Sequence, residues 1–286
     1  MTKQYKDWMA GIIFCLPFLI LFILFIIQPL VTSLVYAFFD KRVGVEPVFN
    51  GINNFIYALN FPGFFYVFQN LVIFVIVGVN IKMIIALFLA SILNEEFKGR
   101  RIFRSLLIIP WSLPMVPTLV IWRWILDTDY GVINRCLLLL GLPQISFLGE
   151  YQWAISVAVI YHIWRSLPFY SLMLLAGLQS IPYPLYEAAE IDGASWWTKF
   201  RYISIPLVKP VYVIATLLSL IWTMGDFTTI WILTRGAPAD TTNVFSTFAY
   251  KFAFQIGNLG AAYATFVMLL PLVFFLIIVL LRVIRD

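Results

Sequence analysis

Uncharged, strongly apolar stretches follow one another along the chain, and short polar segments separate them. These stretches cover residues 8–39, 47–81, 105–122, 151–164 continued by 166–186, 210–225 continued by 227–234, and 252–281. A helix needs about 20 apolar residues to cross a bilayer. The pattern therefore predicts an all-α, polytopic membrane protein with about six transmembrane helices.

The composition supports a membrane protein. Apolar residues make up 62% of the 286 residues, aromatic residues 18% and charged residues 12%, which lies outside the range of soluble domains. Lys3 and Lys6 precede the first stretch, as in a signal peptide. That stretch is too long and lacks a convincing small-residue cleavage site, so we expect a retained helix. We predict a single transmembrane domain over residues 1–286.

The basic residues predict the orientation in the membrane. An even number of crossings places both termini on one side, together with the segment at about 182–206. Eleven basic residues lie on that side: Lys3, Lys6, Lys98, Arg100, Arg101, Arg104, Lys199, Arg201, Lys209, Arg282 and Arg285. The opposite side has six: Lys41, Arg42, Arg123, Arg135, Arg235 and Lys251. The positive-inside rule then places both termini in the cytoplasm. The net charge of +5 follows from this topology and gives no reason to expect nucleic-acid binding.

The sequence lacks the motifs of nucleotide binding and of soluble catalysis. No lysine follows a glycine, which excludes the phosphate-binding loop, and no G-x-G is present. His162 is the only histidine, which excludes H-E-x-x-H. We therefore expect neither an enzyme nor a cofactor or metal in this chain. If the protein uses ATP, another chain must bind it.

The segment 187–210 departs from its apolar surroundings, because six of its 24 residues are charged. Pro184 suits the first turn of a helix, since its missing N–H costs nothing there. Gly193 can take the left-handed conformation that closes a helix, and Ser195 can cap the next one. We expect two short helices joined by a sharp bend between two membrane spans. Alanines on the exposed face would let another protein approach closely.

Six residues of this segment have the spacing of a known signature. They are Glu187, Ala188, Ala189 and Gly193, then, after nine intervening residues, Ile203, and finally Pro206. This spacing resembles the EAA signature of permease subunits of bacterial ABC importers, although Ile205 stands where that family usually has leucine. G-I-N-N-F (51–55), G-R-R-I-F-R (99–104), G-L-Q-S-I-P (177–182) and L-T-R-G-A-P (233–238) extend the resemblance to the carbohydrate, maltose-type branch.

The resemblance implies a type I ABC importer permease fold in the bacterial cytoplasmic membrane. It implies that the loop at about 182–206 is a coupling helix seated in a cleft of an ATPase subunit. The implied coupling residues are Glu187, Ala188, Ala189, Asp192 and Gly193. The implied partners are a second, similar permease subunit, two ATP-binding subunits that hold ATP and magnesium, and an external solute-binding protein.

Two polar and aromatic stripes predict a substrate site. They consist of Ser219, Trp222, Thr223 and Asp226 on the fifth span and of His162, Ser166 and Phe169 on the fourth. Each set shares one helix face. An aromatic ring beside hydroxyls and a carboxylate suits a sugar, which offers C–H faces and hydroxyl groups. By resemblance, both stripes align with substrate-contacting stretches of the larger maltose permease subunit. Packing, lipid contact or bonding to the helix backbone is the alternative.

Two charges within spans are costly unless they are paired or hydrated. Arg165 could pair with Asp226, whereas Lys82 is expected to snorkel toward the cytoplasmic side.

Together the features predict a permease subunit that imports a mono- or oligosaccharide by alternating access. The same machinery for a glycerol phosphodiester or phosphate ester is one alternative. A stand-alone secondary transporter or channel is another, with the intramembrane charges as a proton relay.

Overall fold

The computed structural model of the protein describes residues 3–285, and their side chains except those of residues 3–7, 9, 10, 284 and 285. The predicted cytoplasmic side of the termini relies partly on Lys3, Lys6 and Arg285. That prediction therefore lies partly outside the described side chains.

Helices make up nearly all of the regular structure in the described residues. The α-helices are α1 (Lys3–Phe22), α2 (Gln28–Tyr36), α3 (Asn53–Asn60), α4 (Phe64–Val72), α5 (Asn80–Asn94), α6 (Arg100–Ser112), α7 (Met115–Ile125), α8 (Val132–Leu139), α9 (Tyr151–Gln179), α10 (Pro184–Ile191), α11 (Trp196–Lys199), α12 (Ile205–Met224), α13 (Thr228–Leu233), α14 (Phe245–Tyr250) and α15 (Leu259–Arg285). Four π-helical segments join or extend them: Ile23–Ile27, Ile73–Val79, Phe200–Ser204 and Lys251–Ile256. Two short strands, β1 (Phe39–Asp40) and β2 (Val48–Phe49), pair in antiparallel register.

Four helices in the described part of the chain are long and apolar enough to cross a membrane. They are Gly11–Tyr36, Phe64–Asn94, Trp196–Met224 and Leu259–Val283. A fifth span results if α6 and α7, which meet at 91°, count as one. The predicted all-α, polytopic class is confirmed. The remaining predicted crossing is α9, which has 29 residues and a length of about 44 Å. It is less apolar than the others, and its crossing stays a prediction.

The chain divides into two compact units. The first comprises Met1–Phe61 and Phe248–Leu270. Its core contains an aromatic cluster around Phe252, whose ring centroid lies 4.8 Å from that of Phe248 and 5.0 Å from that of Phe61. The division into two units does not test the predicted single permease domain over residues 1–286, which stays a prediction.

The second unit comprises Pro62–Thr247 and Pro271–Asp286. Its core packs α5 and α9 against α12 through buried residues that include Met83, Leu174 and Ala215. A Cβ atom on Gly177 would lie only 3.0 Å from Val211 of α12. The glycine therefore permits close approach of α9 and α12, as small residues do in membrane helix pairs.

The break between α6 and α7 follows from Pro114. Leu113 and Pro114 both have extended backbones at the break, as expected for a proline and the residue before it. Arg165 of α9 spans this break, because its Nη1 donates to the carbonyl oxygens of Pro110 at 3.1 Å and Leu113 at 2.8 Å.

The local predictions for the segment after α9 are confirmed. Pro184 lies in the first turn of α10, Gly193 has a φ of +77°, and the Ser195 hydroxyl accepts from the amide of Thr198 at 3.3 Å. The second helix is not a separate short one, however, because a continuous helix runs over Trp196–Met224. The π-helical segment Phe200–Ser204 changes the hydrogen-bond spacing just before Pro206, so the proline does not end the helix.

Candidate functional site

A cavity of about 260 Å³ lies within the second unit. Five of the seven predicted substrate residues line it: His162, Ser166, Phe169, Trp222 and Asp226. The sequence-based prediction missed seven other lining residues, which are Lys82, Trp111, Met115, Tyr161, Arg165, Tyr170 and Thr229. The two predicted stripes thus meet at one cavity, which neither stripe could show alone.

Ser219 and Thr223, the other two predicted residues, lie behind the cavity wall. Ser219 is completely buried and Thr223 nearly so. The Thr223 hydroxyl lies 2.6 Å from the Ser219 carbonyl oxygen and 3.0 Å from Nε2 of His162. A direct substrate contact for these two residues stays a prediction.

One wall of the cavity is aromatic. The rings of Trp111 and Phe169 are stacked, with centroids 5.8 Å apart and planes inclined by 24°. Trp222 continues this wall at 5.4 Å from Phe169 and is half exposed. Trp111 lies in the last turn of α6 and belongs to neither predicted stripe.

A buried lysine also lines the cavity. Lys82 is only 1% exposed, and its Nζ lies 3.0 Å from Nε2 of His162. The same ammonium lies 4.8 Å from the ring centroid of Tyr170. The predicted snorkelling of Lys82 toward the cytoplasm is therefore wrong, because α5 places it against α9, where protein groups replace water. The charge within an apolar run was the available signal for this residue.

Asp226 lies at the junction of α12 and α13. Its Oδ1 accepts from the amide of Thr229 at 3.1 Å, and its Oδ2 accepts from the Thr229 hydroxyl at 2.5 Å. Oδ2 also lies 3.5 Å from Nδ1 of His162. Arg165 and Asp226, which could have paired, do not form an ion pair, because Arg165 bonds to backbone carbonyls at the α6–α7 break. Histidine replaces arginine as the neighbour of the carboxylate.

The cavity therefore combines a flat aromatic surface with several hydrogen-bonding groups. Among the described residues, no group of three or more His, Cys, Asp or Glu side chains could hold a metal ion. These properties suit the noncovalent binding of a small molecule with both apolar and polar faces.

The predicted coupling residues form a second feature, outside the cavity. Glu187, Ala188, Asp192 and Gly193 are exposed and Ala189 is partly exposed. Ile191, which lies beside them, is 87% exposed.

Two contacts hold this exposed turn to the helix that follows it. Oε1 of Glu190 lies 2.5 Å from Nζ of Lys199, and the hydroxyls of Tyr186 and Ser204 lie 3.0 Å apart. These contacts tie the turn to α11 and to the long helix that continues it.

Long apolar helices, a cavity within the second unit and an exposed turn before one of its helices are features typical of a membrane transport protein. Residues 82–285 match the family described as the inner membrane component of binding-protein-dependent transport systems, and the chain belongs to this family. The resemblance to ABC importer permeases is thereby confirmed. The chain is a component of a transport system.

Relatives match over nearly the whole chain. The trehalose/maltose transport system permease protein MalF of Thermococcus litoralis is 35% identical, with 98% of this chain and 95% of the relative covered. The lactose transport system permease protein LacF of Rhizobium radiobacter is 33% identical, over 88% of this chain and 86% of the relative.

A solved structure has the same fold. The crystal structure of a bacterial ABC transporter that imports the acidic polysaccharide alginate matches with a TM-score of 0.86 and 23% identity. The match covers 98% of this chain and 96% of that chain. The predicted permease fold is confirmed.

Proposed function

We propose that this chain is the membrane-spanning permease subunit of an ATP-driven ABC importer that moves a carbohydrate into the cytoplasm by alternating access. The observation that carries the proposal is the cavity, which is lined by aromatic rings and by hydrogen-bonding side chains. The trehalose/maltose and lactose permeases among its relatives support the substrate class.

The cavity chemistry fits a sugar. The C–H face of a pyranose ring can stack on Trp222 or Phe169, because an aromatic face is both flat and apolar. Sugar hydroxyls can donate to the Asp226 carboxylate and to the Ser166 oxygen, whose own hydrogen goes to the His162 carbonyl oxygen at 2.6 Å. The aromatic wall accounts for the apolar half of the sugar, and these polar groups account for the other half.

A phosphodiester or phosphate ester would need cationic groups free to bind it. Lys82 and Arg165 both line the cavity. The Lys82 ammonium already contacts His162, and Nη1 of Arg165 already donates to two carbonyl oxygens. Both cations already serve groups of the protein, and this favours an uncharged carbohydrate over a phosphate.

The partners follow from the exposed turn around Gly193. An exposed turn with an apolar tip at Ile191 suits a cleft on another protein. Here that protein is an ATPase subunit, since this sequence has no phosphate-binding loop of its own. The complete importer has two such ATPases that bind ATP and magnesium, a second permease subunit and an external solute-binding protein. The turn and both termini then lie in the cytoplasm.

Reconstitution tests this proposal. The chain co-assembled with its partners in proteoliposomes is expected to take up a radiolabelled neutral disaccharide only with ATP and the solute-binding protein. The chain alone is expected to take up none. Uptake by the chain alone would establish a secondary transporter or channel instead, and preferred uptake of a labelled glycerol phosphodiester would establish the phosphate alternative.

Replacing Trp222 by alanine tests the aromatic wall. An aromatic contact is worth about 0.5–1.5 kcal/mol beyond area burial, so the sugar concentration for half-maximal uptake should rise about two- to tenfold. The basal ATPase rate should not change. Trp124→Ala is the matched control, because Trp124 is 75% exposed and lies outside the cavity. Equal effects of the two substitutions would remove Trp222 from the site.

A further inference from the structure

Three elements of the second unit bring a row of polar side chains together at the cavity. Lys82 comes from α5, His162 from α9 and Asp226 from the junction of α12 and α13. Lys82 Nζ lies 3.0 Å from His162 Nε2, and His162 Nδ1 lies 3.5 Å from Asp226 Oδ2. Lys82 is 1% exposed, and the His162 and Asp226 side chains are 10% and 14% exposed. The row therefore lies almost wholly inside the protein.

We infer that Lys82, His162 and Asp226 form an ordered ammonium–imidazole–carboxylate relay, in which Lys82 is a positioning residue for Asp226. Lys82 acts on the cavity through His162. Which nitrogen of His162 carries the proton is argued from the geometry alone. The effect of the relay on substrate affinity rests on the proposed function.

The hydrogen-bonding capacity of the groups sets the proton order. A lysine ammonium has three donors and no acceptor. Nε2 of His162, at 3.0 Å from Nζ, must therefore be the acceptor. A neutral imidazole carries one proton, which then lies on Nδ1 and faces the Asp226 carboxylate. Each hydrogen-bond donor in the row thus faces an acceptor.

The charges of the row balance. A buried charge is costly unless an opposite charge or hydrogen bonds compensate it. Lys82 and Asp226 carry one charge of each sign, and the Tyr170 ring adds a favourable face for the ammonium at 4.8 Å. Removing Lys82 alone leaves the Asp226 carboxylate without its counter-charge. Removing both leaves a neutral site.

The row also links the elements that build the cavity. Asp226 accepts both hydrogen bonds of Thr229 at the start of α13, and the imidazole connects this junction to α5 through Lys82. We expect α5, α9 and the α12–α13 junction to stay together at the level of the cavity while the permease alternates.

A competing arrangement involves Thr223. Its hydroxyl lies 3.0 Å from the same Nε2 and 2.6 Å from the Ser219 carbonyl oxygen. If the Thr223 hydrogen goes to Ser219, a proton on Nε2 could be donated to Thr223. The nitrogen of Lys82 would then face an N–H group and would have to be uncharged. The two arrangements differ in which histidine nitrogen is protonated.

Nitrogen NMR distinguishes them, because His162 is the only histidine of the chain. The full-length chain with ¹⁵N-labelled histidine, purified without a histidine tag and placed in lipid bilayers, gives the spectrum of this imidazole alone. We expect one protonated nitrogen at Nδ1 and a bare Nε2. In Lys82→Met, the bare Nε2 should lose its donor and the tautomers should mix. An imidazolium or a protonated Nε2 in the unchanged chain would overturn the relay.

Substitutions that remove one or both charges test whether Lys82 and Asp226 compensate each other. Lys82→Met and Asp226→Asn should each lower the denaturation temperature, and the double variant should regain most of the loss. Losses that simply add would contradict the relay. Lys209→Met, at an exposed lysine, is the matched control and should change neither stability nor spectrum.

The last test concerns the imidazole of His162, which bridges Lys82 and Asp226. His162→Gln should retain more sugar affinity than His162→Leu, because an amide can accept from Lys82 and donate to Asp226. His162→Leu should weaken affinity by about tenfold or more, as expected for a lost hydrogen bond to a charged group. Equal losses in both variants would remove the bridging role. If the importer proposal were wrong, uptake would fail in every variant, while the NMR result and the regain in the double variant would remain.

Discussion

Replacing Gly193 by valine is expected to reduce ATP-driven uptake about tenfold or more and to weaken co-purification of the ATPase subunits. Gly193 has a φ of +77°, and a Cβ built there meets no atom within 4 Å. The only local effect of the substitution is therefore backbone strain. A left-handed backbone costs an ordinary residue about 1–2 kcal/mol, and a β-branched residue is the least tolerant of it. The membrane helices should remain folded, as judged by the denaturation temperature.

Gly193→Asn is the matched control for this prediction. Asparagine also adds a side chain, but it visits the left-handed conformation readily. We expect it to retain most of the transport. Equal losses with valine and asparagine would show that side-chain bulk at the protein interface matters, and not the bend.

Replacing Arg165 by methionine is expected to lower the maximal rate of uptake about tenfold and to reduce the denaturation temperature. Arg165 donates to two carbonyl oxygens at the end of α6, where the helix dipole is negative. A hydrogen bond to a charged group contributes about 1.5–3 kcal/mol. Partial exposure of these two bonds places the combined effect at about 2 kcal/mol. Without them the break between α6 and α7 is free to change its angle.

Arg165→Lys separates this role from substrate binding. A lysine can reach a carbonyl with its ammonium but lacks the fork of the guanidinium, so we expect an intermediate rate and stability. A rise in the half-saturating sugar concentration, with unchanged maximal rate and stability, would instead make Arg165 a substrate ligand.

Features set by a residue's own backbone could be predicted from the sequence. Pro184 begins α10, Gly193 adopts a positive φ and Ser195 caps α11, as local rules require. These rules act over a few residues and hold whatever the rest of the chain does. The unbroken helix from Trp196 was not predicted, because the π-helical segment before Pro206 has no comparable local signature.

Periodicity identified part of the cavity. His162 and Trp222 belong to stripes with helical spacing, and both line the cavity. Periodicity assigns a face to a helix but does not say which helix that face meets. Ser219 shares the stripe of Trp222, yet it is completely buried. Trp111 lies in the last turn of α6, and only the packing of α6 against α9 brings its ring to Phe169.

The sequence by itself determined that apolar helices cross a membrane and that a polar turn interrupts them. Its apolar stretches have the length of a bilayer, and lipid cannot satisfy an exposed backbone, which leaves the helix as the available structure for each stretch. Only the tertiary structure decided the partners of the buried charges. Lys82 meets His162 across 80 positions, and Arg165 meets Leu113 across 52. A charge in an apolar environment needs a partner, but the partner it finds depends on which helices pack side by side, and no local pattern encodes that.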